Sequence, residues 1–295
     1  MNEEIILSTD NLCKSFGKKK VLDGVTLNVK KGSVYGFLGK NGSGKTTTIK
    51  CLLGLLQTTD GSSRIFGYDS RKIPETIKNK IGYISQENDL MRWMTVSQIV
   101  HYTKIFYDRW NDETCQELLE KFELSENDIV GNLSTGQAQR LAIVLSLSFN
   151  PEVLILDEPV GALDPEGRRS FLNTVLDISG GGERTILISS HITSDLERIA
   201  DTVGILKDGR IQVETPMEDL KDSIKKLHII PKSGIVPDNV IIPGLLKSVK
   251  ERNFIMATVQ NYSEGLKRSL ENQYKADVEV FDLNLEEIFL SYHAT

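Results

Sequence analysis

The apolar positions of this chain change period along its length, and those changes mark out its elements. Residues 5–12, Val21-Leu22 and residues 25–29 come first. The last of these alternates apolar and polar residues, the period-two pattern of a half-buried strand, so the chain opens on a small antiparallel sheet. Val34-Tyr35-Gly36-Phe37-Leu38 is a short, mostly apolar run bounded by turn residues, suited to a buried strand. Ile49, Leu52, Leu53 and Leu56 then recur at helical spacing. Residues 64–67 and 81–85 read as further strands. From about residue 87 to 133 strand-like alternation stops, and residues 95–107 and 112–122 read as helices, a helical insertion. Ser134 opens another helix that runs to about Phe149, and Ser134-Thr135-Gly136-Gln137 has the Ser-x-x-Gln form of a capping box.

Val153-Leu154-Ile155-Leu156 is an unbroken apolar run ending in Asp157-Glu158, as expected of a central parallel strand. Pro165 opens a helix, and Thr185-Ile186-Leu187-Ile188-Ser189 is another buried strand that ends near His191. A helix over 195–200 leads to a hairpin, 202–206 with 210–213, turning on Asp208-Gly209. The α/β core closes at about residue 220. Beyond Lys221, Pro231, Pro237 and Pro243 punctuate a looser stretch. A strand over 254–259, a helix over 264–270, a strand over 278–280 and a closing amphipathic helix over 285–290 predict a small α/β appendage. The expected division is therefore a domain over 1–220, with its helical insertion at about 87–150, and a second over 221–295.

Between the strand at Val34 and the helix that follows lies Gly39-Lys40-Asn41-Gly42-Ser43-Gly44-Lys45-Thr46-Thr47. This is a phosphate-binding loop: glycine, four residues, then Gly-Lys-Thr, between a strand and a helix. Its glycines let the backbone approach phosphate closely, and its amides form an anion site where the helix dipole favours negative charge. Lys45 reaches the β- and γ-phosphates, and the Thr46 hydroxyl can ligate Mg²⁺. Nucleotide binding follows.

Composition adds bounds. The 295 residues are 39% hydrophobic and 26% charged, enough for one large domain and a smaller one. A net charge of −6 argues against a general nucleic-acid binder. Cys13, Cys51 and Cys115 are scattered and not at metal-ligand spacing, which reads as reduced cysteines. The start, Met1-Asn2-Glu3-Glu4, is acidic where a secretion signal is basic, and no apolar stretch approaches the ~20 residues of a membrane helix.

Other polar residues stand where strands end. Asp157 is placed to hold Mg²⁺, and Glu158 beside it to orient or deprotonate an attacking water. Gln86 follows its own strand and is placed to touch both metal and water. His191 is placed for the γ-phosphate. Phe16, in a loop between Lys14-Ser15 and Gly17, is either an adenine stack or a partly buried loop aromatic. In order along the chain stand the phosphate loop, Gln86, Leu133-Ser134-Thr135-Gly136-Gln137, residues 154–158, Ala162-Leu163-Asp164 and His191. With these, residues 5–220 resemble the ATP-binding cassette family, the motor subunits of membrane transporters.

That resemblance implies a phosphate-loop ATPase that binds ATP and Mg²⁺ and pairs head to tail with a second cassette, most simply its own copy. Ser134 and the amides of Gly136 and Gln137 would then face the partner's ATP, Glu158 would be the general base, Asp164 would communicate across the pair, and Phe16 would stack on adenine. The usual signature has glycine where Thr135 stands, and the position of Lys40 is permissive. The chain looks most like cassettes of bacterial drug, antimicrobial-peptide and lipid exporters that drive a separate multi-span membrane subunit. Its expected place is cytoplasmic, on the inner face of the cell membrane, with docking at Leu90-Met91-Arg92-Trp93-Met94. A soluble cassette acting on ribosomes or nucleic acid, and a cassette that only signals to a membrane complex, are the other readings.

Overall fold

Two long strands open the chain, β1 (Ile5–Phe16) and β2 (Lys19–Lys30), paired antiparallel so that Phe16 faces Lys19 across the turn. Phe16 is thus the last residue of a strand rather than part of a loop. The computed structural model describes residues 4–86, 90–161, 163–179, 184–237 and 240–293. Its contacts divide the chain into two units, Met1–Val213 and Glu214–Thr295.

In the first unit the chain continues through β3 (Val34–Gly39), α1 (Lys45–Leu52), β4 (Asp60–Ile65), β5 (Tyr68–Asp69), α2 (Glu75–Lys78) and β6 (Ile81–Ile84). The helical insertion follows as α3 (Val96–Lys104), α4 (Asp112–Lys121) and α5 (Thr135–Leu147). Then come β7 (Val153–Asp157), α6 (Pro165–Ser179), β8 (Thr185–Ser190), α7 (Thr193–Ile199), β9 (Thr202–Lys207) and β10 (Arg210–Pro216). Strands β2-β1-β4-β5 form one antiparallel sheet, and β10-β9-β3-β8-β7-β6 form the central one. Within the latter, β9, β3, β8, β7 and β6 run parallel.

The apolar runs explain this layering. Every residue of β3, β7 and β8 is buried, as strands covered on both faces must be. Tyr35 and Phe37 of β3, Ile155 of β7 and Leu187 of β8 share a core with Ile49 and Leu52 of α1 and with Leu7 and Leu27 of the first sheet. Each such side chain stabilises by about 1.5–3 kcal/mol when removed from water. The phosphate-loop strand and helix are therefore anchored in the densest part of the unit. Gly36 completes the arrangement: a Cβ there would stand 3.0 Å from Ala200 Cβ, so its absence lets α7 pack onto β3.

The second unit holds α8 (Met217–Ser223), β11 (Lys225–Pro231), β12 (Leu245–Lys250), β13 (Ile255–Val259), α9 (Glu264–Tyr274), β14 (Ala276–Asp282) and α10 (Leu285–Tyr292). Its sheet has the order β12-β13-β11-β14, antiparallel throughout. Leu227, Ile229, Ala257, Val259 and Val278 share its core with Leu270 of α9. Two of these four strands were not expected. In β11 the alternation of Leu227 and Ile229 is hidden behind Lys225-Lys226 and closed by a proline, while β12 is almost wholly exposed and lacks an apolar face to read.

Candidate active site

The functional residues converge because the parallel strands end on one edge. β3 delivers the phosphate loop, β6 delivers Gln86, β7 delivers Asp157 and Glu158, and β8 delivers His191. Loops beyond the carboxyl ends of adjacent parallel strands are where an open α/β sheet binds ligands.

The phosphate loop is held in a conformation its glycines permit. Gly42 and Gly44 have φ of 79° and 115°, where a side chain is strained. At Gly39 a Cβ would lie 2.6 Å from Ser43 Oγ and 2.8 Å from the Leu206 carbonyl oxygen. Lys45 is only 5% exposed, and its Nζ donates to the carbonyl oxygen of Gly39 at 2.6 Å and of Lys40 at 3.3 Å. The same Nζ lies 2.9 Å from Glu158 Oε1, while Glu158 Oε2 shares a hydrogen bond of 2.7 Å with His191 Nδ1. Lys45, Glu158 and His191 thus form one continuous cluster. Glu158 itself has φ 51°, a left-handed backbone that non-glycine residues adopt at a cost of about 1–3 kcal/mol and that is concentrated at functional sites.

Two cavities meet at this cluster. One of about 420 Å³ is lined by Asn41, Gly42, Gly44, Lys45, Thr46, Thr47, Gln86 and Glu158, with Lys19 and Val21 at its far side. The other, about 270 Å³, is lined by Asn41, Gln86, Gln139, Glu158, Gly161 and His191. Glu158, Gln86 and Asn41 stand in both. A bound phosphate chain would meet backbone amides, a cation and a hydroxyl on one side, and a carboxylate, an amide and an imidazole on the other.

Asp157 is fully buried. Its Oδ1 accepts from Ser189 Oγ at 2.7 Å, and its Oδ2 has no hydrogen-bond partner among the described residues. A buried carboxylate oxygen left without a partner is expensive, and a hard divalent cation nearby is one group that would satisfy it. No three His, Cys, Asp or Glu side chains among the described residues are grouped to hold an ion, so the remaining ligands would be Thr46, Gln86, phosphate oxygen and water. The residues present fit a magnesium ion that arrives with its nucleotide.

The signature stands elsewhere. Ser134 caps α5: its Oγ accepts from Gln137 N at 3.2 Å, and Ser134 N donates to Gln137 Oε1 at 2.9 Å. Ser134 and Thr135 are exposed, Gly136 and Gln137 half-buried, and none of the four lines either cavity. Phe16 is half-exposed with Lys14 Nζ 5.0 Å from its ring centroid; across the hairpin, Lys19 lines the cavity and Phe16 does not. Lys40 is exposed and Ser43 buried within the loop. Ala162 lies outside the described residues, while Asp164 Oδ1 accepts from Gly167 N at 2.6 Å at the start of α6.

Sequence reasoning missed Ser189. Its hydroxyl donates to Asp157 and accepts from Glu158 N at 3.0 Å, so it orients both acidic residues. The signal was there: Ser189-Ser190 is a polar pair closing an otherwise apolar buried strand. Gln139 and Gly161 were also missed, since only the packing of α5 and the loop after β7 brings them to the second cavity.

Comparison with known proteins decides the family. The description of ABC transporters matches residues 22–161. The bacitracin transport ATP-binding protein BcrA of Bacillus licheniformis is 37% identical over 223 residues, covering 75% of this chain and 73% of its own. This chain belongs to the ABC transporter family. The cassette is accordingly an ATP-binding ATPase with the phosphate-loop fold. ABC transporter ATP-binding protein YtrB of Bacillus subtilis is 27% identical over 281 residues, 95% of both chains, so its match takes in the second unit as well. Among solved structures, an ATP-binding subunit of an ABC transporter superposes with a TM-score of 0.67 at 28% identity, covering 74% of this cassette and 92% of its own chain. A bacterial ABC transporter cassette solved as a dimer gives 0.65 at 25% identity, covering 72% and 99%.

Proposed function

We propose that this protein is the ATP-hydrolysing subunit of a bacterial exporter, working as a head-to-tail pair of copies on a separate multi-span membrane subunit. The observation that supports the catalytic part is the joining of Lys45 and His191 to the two oxygens of Glu158 at the junction of both cavities. Lys45 and the amides from Gly39 to Thr47 hold the phosphates. Thr46, Asp157 and Gln86 would hold Mg²⁺, which would neutralise charge on the phosphates. Glu158 takes the proton of the attacking water, and His191 holds Glu158 and the γ-phosphate in line. Lys45 leaves Glu158 for phosphate when ATP enters, which frees one carboxylate oxygen for water.

Ser134, Gly136 and Gln137 present the N-terminus of α5 to the ATP of the second copy, an anion site that is exposed in one copy alone. Phe16 stacks on adenine from the rim. A relative named for bacitracin transport and another named for lantibiotic transport, 36% identical over 211 residues, support a peptide antibiotic as cargo. Among the described residues no helix is long and apolar enough to cross a membrane. The relatives named as transport ATP-binding proteins support a place on the cytoplasmic face, against the membrane subunit. Residues 1–220 form the nucleotide-binding domain, and residues 221–295 form an accessory domain.

The membrane subunit docks beside the helical insertion. Trp93 is 77% exposed there, and a cavity of about 410 Å³ lined by Leu53, Leu55, Ser70, Tyr83 and Tyr107 holds two buried hydroxyls, Ser70 Oγ and Tyr83 OH, with no partner among the described residues. Purification from native membranes in mild detergent tests the assembly. A stoichiometric multi-span protein is expected, with ATP turnover that Glu158→Gln abolishes. Ribosomal proteins or nucleic acid in its place would overturn the exporter reading.

A further inference from the structure

Behind the site, α6 packs against α7, and two charged side chains face each other without meeting. Asp195 lies in the first turn of α7 and is 6% exposed. Its Oδ2 is 3.9 Å from Arg168 Nε of α6, and neither atom has a hydrogen-bond partner among the described residues. That separation is beyond hydrogen-bond reach. Leaving a buried acceptor unmet is costly, and more so when it is charged. A donor and acceptor of opposite charge, both unmet and about 1 Å too far apart, mark a contact the fold is built to make in another arrangement.

Both helices begin at the site. Asp164, six positions after Glu158, caps the first turn of α6 by accepting from Gly167 N. Arg140 of α5 leans on the same turn, since a Cβ on Gly167 would stand 2.9 Å from its Nη2. His191 precedes α7 by two residues and holds Glu158 at 2.7 Å. Arg168 therefore moves with the loop after Glu158 and with the helix that carries the signature, and Asp195 moves with His191.

We propose that Arg168 and Asp195 are a positioning pair for ATP hydrolysis: closing their gap into a hydrogen-bonded salt bridge draws the first turn of α6 onto α7 and fixes His191 against Glu158. This rests on the reading that Glu158 and His191 act on bound ATP. A misplacement of ~1 Å around a reacting group can cost about a hundredfold in rate, so a contact that closes by that distance is large enough to gate turnover.

The test uses the full chain carrying Arg168→Gln, Asp195→Asn or both, with Arg168→Lys as the conservative variant. Steady-state ATP turnover, equilibrium ATP affinity and melting temperature are measured on each. Each single variant should lower kcat by about ten- to a hundredfold while ATP affinity stays within about twofold. The double variant should lose no more than the worse single one, because both remove the same contact. Arg168→Lys should recover part of kcat, and Asp195→Asn should melt no lower than the parent. Full kcat in either neutral variant, losses that multiply in the double, or losses that follow melting temperature would each overturn the pair. Parent protein that neither binds nor hydrolyses ATP would instead overturn the site reading on which the pair rests.

Discussion

Lys45 and Glu158 are both buried and 2.9 Å apart, so each compensates the charge of the other. Lys45→Ala should abolish ATP binding and also destabilise the protein by about 3 kcal/mol, read as a lower urea midpoint, because it leaves a buried carboxylate with only His191 beside it. Glu158→Gln should keep ATP binding and lose turnover. Asp195 makes a different prediction. Burial pushes its carboxyl above the ordinary 3.8, and the positive charges of Arg168 and Arg198 offset this only in part. A carboxyl raised in the folded state binds more protons there than when unfolded, so stability falls as pH rises from 3.8 through the native value. Above both values the cost is constant. Asp195→Asn should thus raise the melting temperature at pH 7 by roughly 1–3 °C, a gain that shrinks below the ordinary carboxyl range. Greater stability with lower turnover is not what a merely structural residue would show.

At the scale of elements, the helical insertion is tied to the segment proposed for docking. Val130 N donates to the Met94 carbonyl oxygen at 2.9 Å and Gly131 N to that of Arg92 at 2.8 Å. These bonds join the segment carrying Trp93 to the turn just before Ser134. Gly131 is there because nothing larger fits: a Cβ would lie 2.7 Å from the Arg92 carbonyl oxygen. Gly131→Ala should therefore weaken the link and lower ATPase stimulation by the membrane subunit, with ATP affinity unchanged. Met91→Ser with Trp93→Ser should reduce co-purification of that subunit. One cap of this region was read from the sequence: Ser134 makes a full capping box with Gln137, a local pattern of a hydroxyl three residues before a side-chain amide. Thr95 makes the same box with Gln98, which the sequence reading did not pick out. The links across from Arg92 to Gly131 were not legible, since they join residues 39 positions apart.

For the whole molecule, the proposed head-to-tail pair makes the site of one copy half of a shared site. The phosphate loop lines its cavities and the signature stands outside them, so two copies should associate when ATP is bound and not hydrolysed. With Glu158→Gln and ATP, light scattering should report twice the mass of the 33.0 kDa chain; a mass that stays at one copy would count against the head-to-tail pair.

Local pattern by itself determined a great deal here. Phosphate binding needs closely spaced glycines, a lysine and a hydroxyl between a strand and a helix, so Gly39 to Thr47 announce it without a fold. Buried parallel strands need unbroken apolar runs, so β3, β7 and β8 were visible, as was the acidic pair that closes β7. What the sequence left undetermined has one physical cause: contacts between distant segments leave no periodic trace. Tertiary structure alone paired β11, whose short apolar alternation sits behind two lysines, with β13 and β14, and set β12, which has no apolar face to read, beside β13. It alone put Ser189 under Asp157 and Glu158 and joined Lys45 to His191 through one carboxylate. It alone set Arg168 and Asp195 face to face, because residues 27 positions apart on two different helices meet only once the central sheet has placed the starts of those helices side by side.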